Sequence, residues 1–349
     1  MKGSSVAYYR CPADGSLLRV ADQTPPGDWI ETGTLLSGGG RRYPVIRGVP
    51  HVLYPEKLSL LEEQTQIEYD RVADRIYDVA VDWQFAAFLE DEDTVREGMV
   101  DALDVHAGDR VLEIGCGTGR DSYRLARRLG EGGALFMQDL SANMVFACLQ
   151  GMNARAEQMP FRSPLEYSVS NVTHLPFPDG FFDRVFHFGG LNQFGDIPVA
   201  MLELTRVTRP GGRIVVGDEG VAPWLKGTEF EAIVTTNNPL FKAEVPLRAL
   251  PVCARDVTVK WIVANCFYII IFTKGGGPPP LDLDLPHQGW RGGSMRTRYY
   301  GQIEGVTPDA KALAREAAVA EGISVHEWLD RVVKDAAERT HKRPSDPVR

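Results

Sequence analysis

One short stretch constrains this chain more than any other. Val111-Leu112-Glu113-Ile114-Gly115-Cys116-Gly117-Thr118-Gly119 is an apolar run that breaks into three alternating glycines, after which Arg120-Asp121 leads into a helical pattern. A strand ending in such a loop turns sharply and brings its backbone close to a ligand, where any Cβ collides. A second apolar segment, Gly133-Ala134-Leu135-Phe136-Met137-Gln138, ends at Asp139, which lies 20 residues beyond Gly119. A carboxylate at that spacing takes both hydroxyls of a ribose. Loop and acid together specify an adenosine site.

Dinucleotide-binding loops need G-x-G-x-x-G, with the third glycine packing the helix on the sheet. Here the spacing is Gly115-x-Gly117-x-Gly119, Arg120 stands at the third place, and Glu113 precedes the first glycine by two. This E-x-G-x-G-x-G form resembles motif I of the class I S-adenosylmethionine-dependent methyltransferases. The resemblance continues in order. Asp139-Leu140-Ser141-Ala142-Asn143-Met144 is similar to the family's D-L-S-x-x-M, whose residues after the acid pack on adenine. Leu175-Pro176-Phe177-Pro178-Asp179-Gly180-Phe181-Phe182-Asp183-Arg184-Val185 matches L-P-F-x-D-x-x-F-D-x-V before the fourth strand, and Arg206-Val207-Thr208-Arg209-Pro210-Gly211-Gly212-Arg213 matches the R-V-L-K-P-G-G turn into the fifth. The four motifs look most like methyltransferase type 11, the small-molecule branch that includes ubiquinone and menaquinone biosynthesis enzymes. The family usually has Asp-Ala before the L-P-F segment, its carboxylate accepting from the adenine amino group. This chain has Asn171-Val172, and an amide oxygen accepts the same bond. The resemblance implies S-adenosyl-L-methionine as cofactor, held by Glu113, Gly115, Cys116, Gly117, Thr118, Gly119, Asp139, Leu140, Met144, Asn171, Val172 and Phe188.

Around this core the composition bounds the rest. At 349 residues and 44% hydrophobic content, two or three units are expected. A net charge of −9 argues against a nucleic-acid substrate bound by bulk electrostatics. The five cysteines form no C-x-x-C pair, which suggests neither a disulfide framework nor a zinc site and fits a cytoplasmic protein. The longest apolar run, Cys266 to Phe272, is too short to span a bilayer.

Residues 1–56 are rich in Gly and Pro and read as a small β module. Gly40-Arg41-Arg42-Tyr43-Pro44-Val45-Ile46-Arg47-Gly48-Val49-Pro50 resembles the close of zinc-ribbon modules, but of their two cysteine pairs only Cys11 remains, with Asp14, Leu36 and Gly39 in the other places. One thiolate does not build a tetrahedral zinc site, so a metal-free remnant that contacts the catalytic domain or a partner subunit is expected. Residues 57–274 then read as the methyltransferase domain with a helical lid at its start. Glu68 to Asp78 resembles the family's Y-D-x-V-A-x-x-Y-D lid, in which Tyr69 and Tyr77 either contact cofactor and substrate or bury a helix face. Strands near 110–114, 133–138, 165–170, 183–188 and 213–218 alternate with helical stretches, and the last pair, Val257 to Val263 and Phe267 to Thr273, is too closely spaced for a crossover. The fold class is therefore α/β, a Rossmann-like seven-stranded, mostly parallel sheet with one antiparallel strand.

Residues 275–294 read as a Gly/Pro-rich linker and 295–349 as a strand-helix-helix tail. The tail resembles ribbon-helix-helix modules, with Arg296, Arg298 and Tyr300 on one ribbon face. A dimerising role, giving a homodimer, is favoured over DNA binding because the chain is acidic.

The sulfonium of the cofactor already activates its methyl, so transfer is an in-line displacement and the protein supplies alignment. A base is needed only for a hydroxyl, ammonium or carbon-acid acceptor. His187 is the candidate base, with a satisfied core histidine as the competing reading. Asp218 and Glu219 either bind a cationic acceptor, orient a base, or are simply solvated. The segment 220–255, with Trp224, Phe230 and Phe241, is expected to cover an aromatic or lipid-like small-molecule acceptor. The alternative is a cofactor-binding regulator or scaffold subunit of a biosynthetic complex.

Overall fold

The computed structural model describes residues 1–73, 76–289, 293–299 and 306–341. Its strands are β1 (Arg19–Thr24), β2 (Thr32–Leu36), β3 (Arg42–Ile46), β4 (Val49–Val52), β5 (Arg110–Ile114), β6 (Ala134–Asp139), β7 (Leu165–Ser170), β8 (Phe182–Phe188), β9 (Thr208–Glu219), β10 (Ala254–Ile262) and β11 (Phe267–Lys274). The helices are α1 (Leu60–Val72), α2 (Ile76–Ala87), α3 (Glu92–Leu103), α4 (Ser122–Arg128), α5 (Ala142–Gln158), α6 (Ile197–Val207), α7 (Glu229–Asn237), α8 (Met295–Tyr299), α9 (Pro308–Ala320) and α10 (Val325–His341). Two units result, Met1–Pro279 and Pro280–Arg349.

In the first unit all the strands form one sheet, ordered β1-β2-β3-β4-β7-β6-β5-β8-β9-β11-β10. Its right-hand seven are the expected ones. Neighbours from β7 to β9 pair in parallel, and β11 alone runs against both β9 and β10. The reversal is local: Val263, Ala264 and Asn265 all have positive φ, closing a hairpin too tight for any crossover. Strands β5 and β11 are buried almost end to end, as continuous apolar runs covered on both faces must be.

The strand period of two sorts the core into layers. Val111, Leu135 and Met137 pack with Met99, Leu125, Val145 and Met152 from α3, α4 and α5. Leu112, Ile114 and Phe136 face the other way, onto Met201 and Leu204 of α6 and onto Tyr9, Ile30, Leu35 and Val45 of the N-terminal segment.

That packing changes the reading of residues 1–56. They form the expected β meander, but it is not a separate module, because β4 pairs in parallel with β7 through His51↔Val169 and Val52↔Ser170 and so continues the core sheet by four strands. A bare edge at β7 would present unpaired backbone groups to solvent. Around Cys11 the segment is held by local contacts. Cys11 Sγ lies 3.2 Å from the Tyr43 hydroxyl, Asp14 accepts from Ser16 N–H at 2.9 Å, and a Cβ on Gly39 would come within 2.7 Å of Asp14 Oδ2.

The 220–255 segment covers the sheet edge differently from expectation. Phe241 is buried with Phe85, Val221 and Phe267, whereas Trp224 and Phe230 are exposed. The expected linker also begins later. Gly275 N–H donates to the Cys253 carbonyl and Arg255 to that of Gly277, so these residues belong to the first unit.

In the second unit, Met295–Tyr299 is a short helix where a strand was expected, and the remainder of that strand, with Tyr300, lies outside the described residues. Arg296 of this helix pairs with Asp284 at 2.9 Å. The helical hairpin follows its punctuation. Thr307 caps α9 with Pro308 at its first position, Gly322 closes it at φ 66°, and Ser324 and Glu327 form the capping box of α10. Among the described residues no helix is long and apolar enough to cross a membrane.

Tyr9 is fully buried with its ring 5.4 Å from that of Phe177 of the core. Tyr9→Ala is therefore expected to cost about 3 to 5 kcal/mol. Urea unfolding should show the loss as a lower midpoint of the whole first unit; a separate early transition with an unshifted core would contradict the shared packing.

Candidate functional site

The glycine loop leaves the carboxyl end of β5 with Gly115, Gly117 and Gly119 at φ 65°, 52° and 85°. The positive φ itself favours glycine at all three. A Cβ on Gly119 would also meet Cys148 Sγ at 3.1 Å, where α4 starts against α5, whereas one on Gly117 would make ordinary contact with Tyr77 at 3.5 to 3.7 Å. The loop is clasped to β6, because Asp139 accepts from Gly117 N–H at 3.1 Å and from Ser141 N–H at 2.9 Å, and the Gln138 carbonyl accepts from Cys116 N–H at 3.0 Å. Burial pushes the Asp139 carboxyl up to about 6 in spite of these donors.

Between loop and lid runs a cleft at the carboxyl ends of β5, β6, β7 and β8, where open parallel sheets bind ligands. Of the residues expected to hold a cofactor, Tyr69, Tyr77, Gly115, Gly117, Asp139, Leu140, Met144, Asn171 and Val172 line it, and His187 joins them.

The others do not face it. Glu113 points into the core and accepts from Ser122 Oγ at 2.5 Å, its carboxyl driven well above the ordinary value by burial. Cys116 is buried against Cys148, and Thr118 Oγ1 donates to Asp78 at 2.8 Å, outside the cleft. Phe188 stacks 5.6 Å from Phe267 in the aromatic cluster under α7. Gly119 serves packing alone.

Asp218 is structural too: it is buried, and its two oxygens accept from Gly190 N–H at 2.9 Å and Asn192 N–H at 2.5 Å. It shapes the loop after β8 and presents nothing to a substrate. Glu219 does not line the cleft either, and burial followed by the neighbouring Asp218 charge raises its carboxyl well above the usual range.

His187 is the exception. Its Nδ1 lies 2.8 Å from the Ile114 carbonyl, which only accepts, so Nδ1 carries the proton and Nε2 is a bare acceptor. Nε2 is buried without a partner among the described residues, in a ring that lines the cleft beside Gly115 and Phe194. Burial lowers the pKa of His187 and keeps the ring neutral at physiological pH.

The lid is tied down along its length. Glu62 accepts from Asn171 Nδ2 at 2.7 Å, Gln66 donates to the Leu140 carbonyl at 2.9 Å, Tyr69 donates to Gln193 at 2.8 Å, and Asp70 accepts from Ser141 Oγ at 2.5 Å. Arg120, at the place where a dinucleotide fold keeps glycine, holds Asp78, Asp82 and Glu92 at 2.8, 2.8 and 2.6 Å and so anchors α2 and α3 to the loop. Sequence reading missed Glu62, Gln66, Gln138, Gln193 and Phe194 as cleft residues. Only Glu62 left a signal, the Ser59-x-x-Glu62 capping box, and that reports a helix start, not a cleft.

This geometry has known relatives. Residues 112–216 match the family described as "Methyltransferase domain". The demethylmenaquinone methyltransferase of Beutenbergia cavernae is 36% identical over 153 residues, covering 42% of this chain and 57% of that protein. The 2-phytyl-1,4-naphtoquinone methyltransferase of Trichormus variabilis is 34% identical over 150 residues, covering 43% and 62%. Among solved structures, a Haemonchus contortus phosphoethanolamine N-methyltransferase in complex with S-adenosyl-L-methionine is 14% identical with a TM-score of 0.46, covering 67% of this chain and 63% of that one. The chain thus carries a methyltransferase domain of the class I S-adenosylmethionine-dependent type, and the match spans less than two thirds of these curated relatives.

The residues present fit that cofactor. Asp139 is a carboxylate backed by two amides for ribose hydroxyls, and side chains are missing at Gly115 and Gly117, where a Cβ would already touch His187 and Tyr77. Because Asp139 titrates near 6 and is a charged acceptor through both oxygens only when ionised, affinity for S-adenosylhomocysteine should be constant above neutrality and weaken as pH falls through 6. Calorimetric titration from pH 5 to 8 checks this, and Asp139→Asn should bind weakly at every pH with that slope removed.

Proposed function

We propose that this chain transfers the methyl group of S-adenosylmethionine to a small aromatic or lipid-like acceptor, with His187 as the base. The unpartnered Nε2 of a buried, neutral His187 on the cofactor cleft carries the proposal. When bound, the cofactor supplies an electrophilic methyl on sulfur, so the chain's task is alignment, exclusion of water and removal of a proton. Tyr69, Tyr77 and Phe194 wall the cleft with aromatic surface, and the lid contacts from Glu62 to Asp78 close it. His187 holds its own proton on the Ile114 carbonyl, which leaves Nε2 to take one from an acceptor hydroxyl or acidic carbon. The names of the two relatives, a demethylmenaquinone and a phytyl-naphthoquinone methyltransferase, support an apolar aromatic acceptor.

The direct test is transfer of a labelled methyl from S-adenosylmethionine to a panel of reduced quinones and phenols. His187→Ala should lower kcat by about 100-fold or more while cofactor affinity changes little. Loss of binding without any kcat defect in the bound enzyme would mean that His187 serves the cofactor and not the acceptor.

A further inference from the structure

Adenine presents a 6-amino group that donates, so a site that reads it needs a free acceptor. Asn171 stands on the cleft as the expected one, but each end of its neutral amide already makes a hydrogen bond, which leaves Oδ1 one lone pair. Thr173 N–H donates to Asn171 Oδ1 at 3.0 Å, which orients the amide, and Nδ2 then donates to Glu62 Oε1 at 2.7 Å. Among the other side-chain acceptors on the cleft, Asp139 clasps the loop, Gln193 Oε1 takes the Tyr69 hydroxyl, and His187 keeps its unpartnered Nε2 in a ring beside Gly115.

Glu62 differs from all of these. It is a buried carboxylate with no cation within ion-pair distance among the described residues, sustained by donors alone. Oε2 accepts from Ser59 N–H at 2.8 Å and Ser59 Oγ at 2.6 Å, whereas Oε1 accepts from Asn171 only and keeps a lone pair. Burial works to raise its pKa, yet the Ser59 and Asn171 bonds hold it below the ordinary value, so the group is ionised. Room has been left for it: a Cβ on Gly195 would lie 2.5 to 2.9 Å from the Glu62 carboxylate and its Cγ. It lines the same cleft as Leu140 and Val172, one helical turn before Gln66, which binds the Leu140 carbonyl.

We propose that Glu62, carried on the lid helix, is the acceptor that selects the 6-amino group of adenine, with Asn171 as the residue that aims it. Adenine recognition is thereby coupled to lid closure, because the acceptor arrives with α1 and not with the sheet. The inference rests on the cofactor reading above. A helix-capping role alone is the competing explanation, since Glu62 closes the capping box with Ser59.

The test compares S-adenosylhomocysteine with S-inosylhomocysteine, which has a carbonyl in place of the 6-amino group, by calorimetry on the full chain. Wild type should prefer the adenosyl form by about tenfold or more, because the carboxylate repels the carbonyl oxygen. Glu62→Gln keeps a residue that closes capping boxes and should bring the preference close to unity. Ser59→Ala loosens the cap, keeps the carboxylate and should leave the preference intact. Equal weakening of both ligands by Glu62→Gln, with the preference unchanged, would overturn the proposal in favour of capping. Wild type binding the two equally would also overturn it, and wild type binding neither would instead overturn the cofactor reading on which it rests.

Discussion

The bond from Gly117 N–H to the Asp139 carboxylate joins the ends of β5 and β6, and much of the site depends on that join. It works because three alternate positions of positive φ turn an amide toward the neighbouring strand, a path that side chains at those positions would strain. Asp139 then stands on the cleft, and Ser141 N–H supports its other oxygen. The cost is a carboxylate held where burial disfavours its charge. Structures tolerate such groups where a ligand uses them.

Around this join the chain builds outward in two directions. On one side the N-terminal meander hydrogen-bonds to β7 and packs Tyr9, Ile30 and Val45 onto the layer that holds Ile114 and Phe136. It buries the edge of the core sheet by backbone pairing. On the other side α1 and α2 lie over the cleft, bound by polar contacts from Glu62, Gln66, Tyr69, Asp70 and Asp78. Apolar burial and strand pairing hold the first attachment, and side-chain hydrogen bonds hold the second.

Much of the core was legible in the chain because its signals are local. A glycine needed for positive φ, an acid at the end of the next strand and a hairpin too short to cross over each show within a few residues. The strand positions and the reversed β11 followed from them. The misses share a different cause. Strand alternation sends Glu113 into the core and leaves Ile114 on the cleft, and the glycine loop places Thr118 and Cys116 on its far side. Asp218 looked catalytic because acids at strand ends often are, yet two amides of the following loop consume it. Met295–Tyr299 formed a helix because a short alternating segment carries no strand without a partner to pair with.

The sequence by itself determined the class of domain, the ligand loop and Asp139, since these depend on what single residues permit their own backbone to do. Only the tertiary structure decided that the first four strands continue the core sheet, that His187 lines the cleft with its buried Nε2 unpartnered, and that the Glu62 carboxylate stands beside Asn171. Those facts concern which groups meet across 73 to 118 residues of chain, and pairing at that range is set by the packing of whole layers, which no local pattern encodes.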